Sequence, residues 1–264
     1  MEGFLRYTTL MNFQKKQNTS WQKVSKWYGG ITKGSGHYFH EHVVIPKVLT
    51  LLSLNDKSSL LDLGCGTGAL ARMIPKDVLY TGVDIAKGMI DEAKKADRNP
   101  KHTYLVGDVT QAVSAPKTFT HSTFILSLQN IKDQKEAIKL ASEHLLPNGI
   151  LVIVLNHPAF RIPRQSSWEI DENNKLEYRR INRYLTPLEV PVNMHPSDRN
   201  SQITWSYHEP ISNYSEYLKN NGFDIEILEE WTSDKQSAGK HAKMENRARS
   251  EFPLFLAIKA KKIS

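Results

Sequence analysis

From residue 58 to residue 155, short apolar runs alternate with stretches whose apolar residues recur at helical spacing. Residues 59–63 read as a strand, and residues 69–74 as the start of a helix that Pro75 ends. A second strand is expected over 78–84, then a helix over 87–96 with Met89, Ile90 and Ala93 on one face. Short strands follow at 103–106 and 123–128. A helix over 132–146 is expected to close at Pro147-Asn148-Gly149, because glycine and proline usually end helices. Residues 150–155 are apolar without interruption, as in a strand buried on both faces of a parallel sheet. This alternation predicts an α/β fold, a doubly wound, Rossmann-like sheet with helices on both faces and right-handed crossovers.

After Asn156 the rhythm stops. Residues 157–206 are rich in Arg, Asn, Pro and Trp, and the alternation over 175–184 predicts a hairpin. Regular structure resumes with a helix over 212–220, a turn at Asn221-Gly222 and a strand over 223–228. Residues 232–250 are polar and basic, a loop or exposed helix, and residues 254–259 form the last strand. The expected layout is an arm or lid over 1–40 and one domain over 41–264. That domain carries seven strands in one mainly parallel sheet, with an inserted cap at about 157–206.

Composition narrows the class. Of 264 residues, 39% are hydrophobic and 24% charged, which excludes a wholly disordered chain, collagen and a fibrous coiled coil. The longest apolar run, 150–155, is far short of the ~20 residues that span a bilayer. The first 17 residues lack the apolar core of a secretory signal, and the single Cys65 leaves no internal disulfide. A cytoplasmic protein is the expectation. The net charge of +7 is concentrated early: residues 1–60 hold 8 Lys and Arg against 3 Asp and Glu. Such a basic arm suits nucleic acid, an anionic membrane surface or an acidic substrate, and equally a solvated helix face. No aromatic RNA-binding signature accompanies it.

The chemistry concentrates in LLDLGCGTGAL, residues 60–70, at the first strand-to-helix turn. Its glycines permit a tight turn and a close approach of ligand to backbone. The spacing is GxGxG rather than the dinucleotide GxGxxG. Asp62, two residues before Gly64, would repel a pyrophosphate and attract a cation. Asp84 ends the second strand, 20 residues after Gly64, where a carboxylate can accept from ribose hydroxyls. The combination asks for a nucleoside with a positive, phosphate-free tail.

These residues resemble the class I S-adenosylmethionine-dependent methyltransferases. LLDLGCGTGAL is similar to their first motif, TGVDIAKGMIDEAKK to the second and YLVGDV to the third. FILSLQNI stands at the fourth, and LLPNGILVIVLN resembles the segment around the fifth strand. The likeness is close over about residues 40–155. It continues in YHEPISNYSEYLKNNGFDIEILEEW, which is similar to the end of small-molecule members such as quinone-biosynthesis methyltransferases. The resemblance implies that Asp62 faces the methionine amino group of S-adenosyl-L-methionine, with Leu63, Gly64, Cys65, Gly66 and Gly68 beneath it. It implies that Asp84 holds the ribose, Ile85 packs on the adenine, and Asp108 and the Val109 amide read the adenine edge. Leu126 and Ser127 would end the fourth strand beside the methyl group. Thr120-His121 stands where many relatives begin that strand with an acid, and the fourth motif lacks the Asn/Asp-Pro-Pro-Tyr/Phe of amide and exocyclic nitrogen methylation. Asn156-His157-Pro158 follows the fifth strand instead.

The acceptor is expected at the carboxyl ends of the strands. Residues 27–40 mix aromatics, histidines and four glycines, and read as a lid with Tyr28 near the acceptor. Arg161, Arg164 and Trp168 of the insertion, with Asn130, read as a pocket for a planar or anionic group, or as bridges to Glu169 and Asp171. A general base is needed only when the acceptor must lose a proton, and His157, His208 and His37 are its candidates. No cluster has metal-ligand spacing. The preferred reading is methyl transfer to a small molecule. An RNA or protein acceptor, drawn by the basic residues before Asp56, and a non-catalytic cofactor-binding protein are the alternatives.

Overall fold

The computed structural model describes residues 38–193 and 203–263. The chain enters through a π-type turn, His40–Val44, that runs into helix α1 (Ile45–Leu52). Val44, Ile45, Val48, Leu51 and Leu52 share the buried side of this segment. Four strands follow: β1 (Ser59–Leu63), β2 (Leu79–Asp84), β3 (His102–Val106) and β4 (Phe119–Ile125). Helix α2 (Lys87–Ala96) links β2 to β3, and α3 (Gln134–His144) links β4 to β5 (Leu145–Asn156). Two hairpins come next, β6 (Ser166–Asp171) with β7 (Leu176–Ile181), and β8 (Leu188–Asn193) with β9 (Ile203–His208). The chain closes with α4 (Ile211–Asn220), β10 (Phe223–Trp231), α5 (Ala242–Glu251) and β11 (Phe255–Lys262).

Seven strands form one sheet in the order β3-β2-β1-β4-β5-β11-β10. Strands β1 to β5 run parallel, and β11 lies antiparallel between β5 and β10. Both faces are buried, as strand periodicity requires. Leu60, Val152, Val154 and Ala257 pack under α1 and α2, while Leu61, Leu63, Leu151, Ile153 and Ile258 pack under α3 and α4. The predicted mainly parallel, seven-stranded fold is the observed one.

Four local expectations are corrected. Residues 69–74 form linked turns, with the Met73 and Ile74 amides donating to Leu70 O, because Pro75 stops the segment before a costly helix nucleus can propagate. The fourth strand starts at Phe119 and stops at Ile125, since Leu126 turns into the left-handed region with φ 54°. Helix α3 spans less than 132–146: Asp133 caps its start, and β5 already begins at Leu145. Pro147-Asn148-Gly149 therefore sits in a register shift of the β4–β5 ladder, between the Phe119–Leu145 and His121–Ile150 pairs. The insertion holds two hairpins rather than one.

Of the arm expected over 1–40, residues 1–37, with Tyr28, His37 and most of the early basic residues, lie outside the described residues. Among those described, no helix is long and apolar enough to cross a membrane.

Candidate functional site

The carboxyl ends of β1, β2 and β4 open onto a cavity of about 600 Å³, the size range of small-ligand sites. Beyond Leu63 the chain turns back so that the Gly64 and Cys65 amides both donate to Val83 O, at 2.8 and 3.1 Å. Gly64 has φ +74°, and a Cβ there would stand 2.4 Å from Ser127 Cβ. Ser127 in turn donates its hydroxyl to Leu63 O at 2.7 Å, tying the exit of β4 to the end of β1. Gly66 differs: φ is +53°, yet a Cβ would meet nothing within 4 Å, because that side of the residue faces open cavity.

Asp84 organises the neighbouring wall. Its Oδ2 accepts the Gly66 amide at 3.0 Å and its Oδ1 accepts the Ala86 amide at 2.8 Å. Each carboxylate oxygen keeps a further acceptor site. Burial raises its pKa above the usual carboxylate range, against the lowering effect of those two amides. Asp62, 2% exposed, accepts from Tyr80 Oη at 2.7 Å and from Thr123 Oγ1 at 2.9 Å. Burial pushes its pKa up to about 6, although the two hydroxyls lower it; the charge of Asp84 adds to the rise. Asp108 is oriented by Thr110, whose amide and hydroxyl both donate to Oδ1, at 2.9 and 2.7 Å. Asp62 and Asp84 are thus carboxylates whose ionisation is resisted by their surroundings, an arrangement that a cation relieves.

The opposite wall comes from the insertion. Trp205 and Tyr207, two residues apart on β9, both line the cavity. Gln134 Nε2 donates to Tyr207 O at 2.9 Å, and Lys132 pairs with Glu189 at 2.7 Å, which fastens the β8–β9 hairpin to the start of α3. His40 and Ile45 approach the cavity from the entry to α1.

Of the cofactor candidates, Asp62, Gly64, Cys65, Gly66, Asp84, Ile85, Asp108, Val109, Leu126 and Ser127 line this cavity, as does Asn130. Leu63 and Gly68 do not. Leu63 is buried in the core on the α3 face, and Gly68 lies against Tyr104, whose Oη would be 2.7 Å from a Cβ there. Cys65 is buried and its thiol is pushed far up by burial, as a packed residue rather than a nucleophile would be.

The other candidates lie elsewhere. His157 is 1% exposed, and its Nδ1 accepts the Ala159 amide at 3.1 Å while Nε2 faces Glu230 Oε1 at 2.7 Å. With Nδ1 accepting, the proton sits on Nε2 and is donated to Glu230, so the ring joins β5 to β10. His208 is buried with Nε2 donating to Tyr184 O at 2.6 Å, and it holds the connector after β7 against β9. Neither histidine lines the cavity; burial holds both below the usual histidine range. Arg161, Arg164 and Trp168 line a separate cavity of about 460 Å³ that shares no residue with the first. The bridges to acids are not made either: Glu169 approaches Arg180 and Asp171 accepts from Asn174. No group of three or more His, Cys, Asp or Glu fit for a metal occurs among the described residues.

Trp205 and Tyr207 escaped the sequence reading, and His40 entered it only as the last residue of the expected lid segment 27–40. Alternation in ITWSYH was available as a signal for β9, but nothing local says which sheet edge or helix that hairpin meets.

A family model described as "Methyltransferase domain" matches residues 61–153. The chain is 31% identical over 123 residues to a 2-phytyl-1,4-naphtoquinone methyltransferase of Thermosynechococcus vestitus, covering 44% of this chain and 55% of that one. It is 26% identical to a malonyl-[acyl-carrier protein] O-methyltransferase of Halalkalibacterium halodurans, over 47% of this chain and 51% of the relative. The chain therefore spans about half the length of these curated relatives. In fold it is similar to a crystal structure of an S-adenosylmethionine-dependent methyltransferase from Mesorhizobium loti. That likeness has a TM-score of 0.65 at 23% identity and covers 82% of this chain and 96% of the other.

Proposed function

The chain carries a class I S-adenosylmethionine-dependent methyltransferase domain, and from that premise we propose that it transfers a methyl group from S-adenosylmethionine to a small-molecule acceptor. The observation that carries this reading is the corner where Asp84 grips the Gly66 amide beside open space on the glycine's Cα. The donor set fits the cofactor: buried carboxylates for a cationic ligand, and a cradle that any side chain at position 66 would fill. When bound, S-adenosylmethionine supplies a methyl group on a positively charged sulfur, already activated for transfer.

The protein's task is then to bind, align and keep water away. Asp84 accepts the ribose hydroxyls with the lone pairs its two amides leave free. Asp108, held by Thr110, and the Val109 amide take the adenine edge, while Ile85 and Met89 cover its face. Asp62 balances the amino acid's ammonium. Trp205 and Tyr207 hold the acceptor against the end of β4, and His40 is the histidine of the cavity, among the described residues, that could receive an acceptor's proton. Residues 157–206, as far as they are described, serve as cap of a single domain over 41–264. A cytoplasmic setting suits its single cysteine.

A small acceptor is supported by what the two curated relatives are named for, a naphthoquinone and a carrier-bound malonyl group. Incubation with methyl-labelled S-adenosylmethionine and fractionated cell extract tests it. Label is expected in the small-molecule fraction or released from carrier protein by thioester cleavage; label confined to RNA, or to protein and resistant to that cleavage, would overturn the acceptor class. Absence of any thermal shift with S-adenosylhomocysteine would overturn the cofactor assignment.

A further inference from the structure

The second cavity, about 460 Å³, lies beyond the end of β5, between the 156–164 segment, the β6–β7 hairpin and the residues that lead into β11. Three arginines line it, Arg161, Arg164 and Arg179, and no Asp or Glu does. Their contacts leave the charge uncompensated. Arg161 donates to Asn156 Oδ1 at 2.9 Å and lies 5.7 Å from the Phe255 ring. Arg179 donates to Phe160 O and, at 2.7 Å, to Ser166 Oγ, and sits 4.8 Å over the Trp168 ring. Arg164 makes no hydrogen bond or ion pair among the described residues, and its backbone takes φ +61°. None of the ion pairs among the described residues uses any of the three.

The remaining wall is apolar, with Phe160, Trp168 and Phe252 beside Ile162, Pro163 and Leu254. Phe252 meets Trp168 edge-on at 5.5 Å and Phe160 at 5.5 Å. Arg161 and Arg179 repel each other: desolvation, and then the charge of Arg179, hold the Arg161 guanidinium below its usual range. An oxyanion among them removes that repulsion and matches the planar donor fork of arginine, while flat aromatic walls favour a flat apolar body. We propose that the Arg161–Arg164–Arg179 cavity is a second ligand site, which takes a carboxylate or phosphate carried on a planar apolar group. It shares no residue with the methyl-transfer cavity and does not rest on the methyltransferase reading.

Titration of the full chain with 1-naphthyl phosphate, followed by calorimetry and tryptophan fluorescence, tests the site. Saturable binding is expected, weaker at high salt, and reduced about ten-fold by either Arg161→Gln or Arg164→Gln. Arg164→Gln removes no bond seen in the fold, so an unchanged melting temperature separates lost binding from lost structure. Affinity should be unaffected by saturating S-adenosylhomocysteine, which fills the other cavity. Parallel titration with 1-naphthoate distinguishes the two sources of the oxyanion, the tighter probe naming the class. No binding of either probe at millimolar concentration overturns the proposal. So do equal affinities in wild type and both variants, and displacement by S-adenosylhomocysteine. Inorganic phosphate binding as tightly as the aryl phosphate overturns the role given to the aromatic walls.

Discussion

Asp84 and Gly66 are joined by a 3.0 Å hydrogen bond from the glycine amide to the carboxylate, across the gap between β2 and the loop after β1. The side chain proposed to bind the ribose also holds the loop in place. Asp84→Ala should therefore act on both. Loss of hydrogen bonds to a charged group, ~1.5–3 kcal/mol each, predicts a fall in S-adenosylhomocysteine affinity of roughly 100-fold or more by calorimetry. The released Gly66 amide borders the cavity and can turn to water, whereas the amide of buried Ala86 is left without its acceptor, so the variant should lose about 1–3 kcal/mol of stability in a thermal melt. An unaltered affinity would remove Asp84 from the binding site.

The glycines of the loop should separate. At Gly66 an alanine Cβ has free space and meets only the strain of a left-handed residue, about 1 kcal/mol, so Gly66→Ala should fold and fail to bind cofactor. At Gly64 the added Cβ would stand 2.4 Å from Ser127 Cβ and push apart the ends of β1 and β4. Gly64→Ala should lower the melting temperature clearly more than Gly66→Ala does. The reverse order would overturn the division between structural and ligand-facing glycines.

Asp62 makes the site pH-dependent. Its pKa of about 6 lies above the ordinary carboxylate value, so the native state holds its proton more tightly than the unfolded chain. Between the ordinary value and about 6, this group's contribution to stability falls as pH rises. A cationic ligand requires the ionised form, so cofactor affinity should drop as pH falls below about 6, with proton release on binding there. Calorimetry in buffers of different ionisation heat measures that release; Asp62→Asn should abolish it.

His157→Gln tests a structural histidine. The ring's links to Glu230 and Ala159 hold β5 to β10, so the variant should lose about 1–3 kcal/mol of stability while kcat/KM stays near wild type. Because burial holds this histidine below its unfolded value, its contribution is complete at neutral pH and is lost as pH falls through that range. A variant of normal stability with greatly reduced kcat would return His157 to the chemistry.

Trp205→Ala opens the wall that the β8–β9 hairpin gives the cavity. It should raise the acceptor's KM about ten-fold and leave the affinity for S-adenosylhomocysteine within about two-fold. Equal losses for both ligands would place Trp205 on the cofactor instead.

Much of this molecule could be read along the chain wherever contacts are local or periodic. Helix α2 appeared with its own bounds, and Met89, Ile90 and Ala93 are its buried residues. The sheet's apolar strands and the Gly64-to-Asp84 spacing were equally legible, because a glycine turn and a strand-end carboxylate are set by neighbours in sequence. Helix α1 was not among the expected elements, although Val44, Ile45, Val48, Leu51 and Leu52 have helical spacing.

The sequence by itself determined the α/β order, the two-faced burial of the strands and the carboxylates around the glycine loop, all consequences of backbone periodicity and short-range turns. Only the tertiary structure decided which histidines are spent on packing, that β9 rather than residues 157–168 walls the cavity, and that three arginines share a second one. Those facts depend on contacts between residues far apart in the chain, such as Gln134 with Tyr207 and His157 with Glu230, for which no local pattern exists.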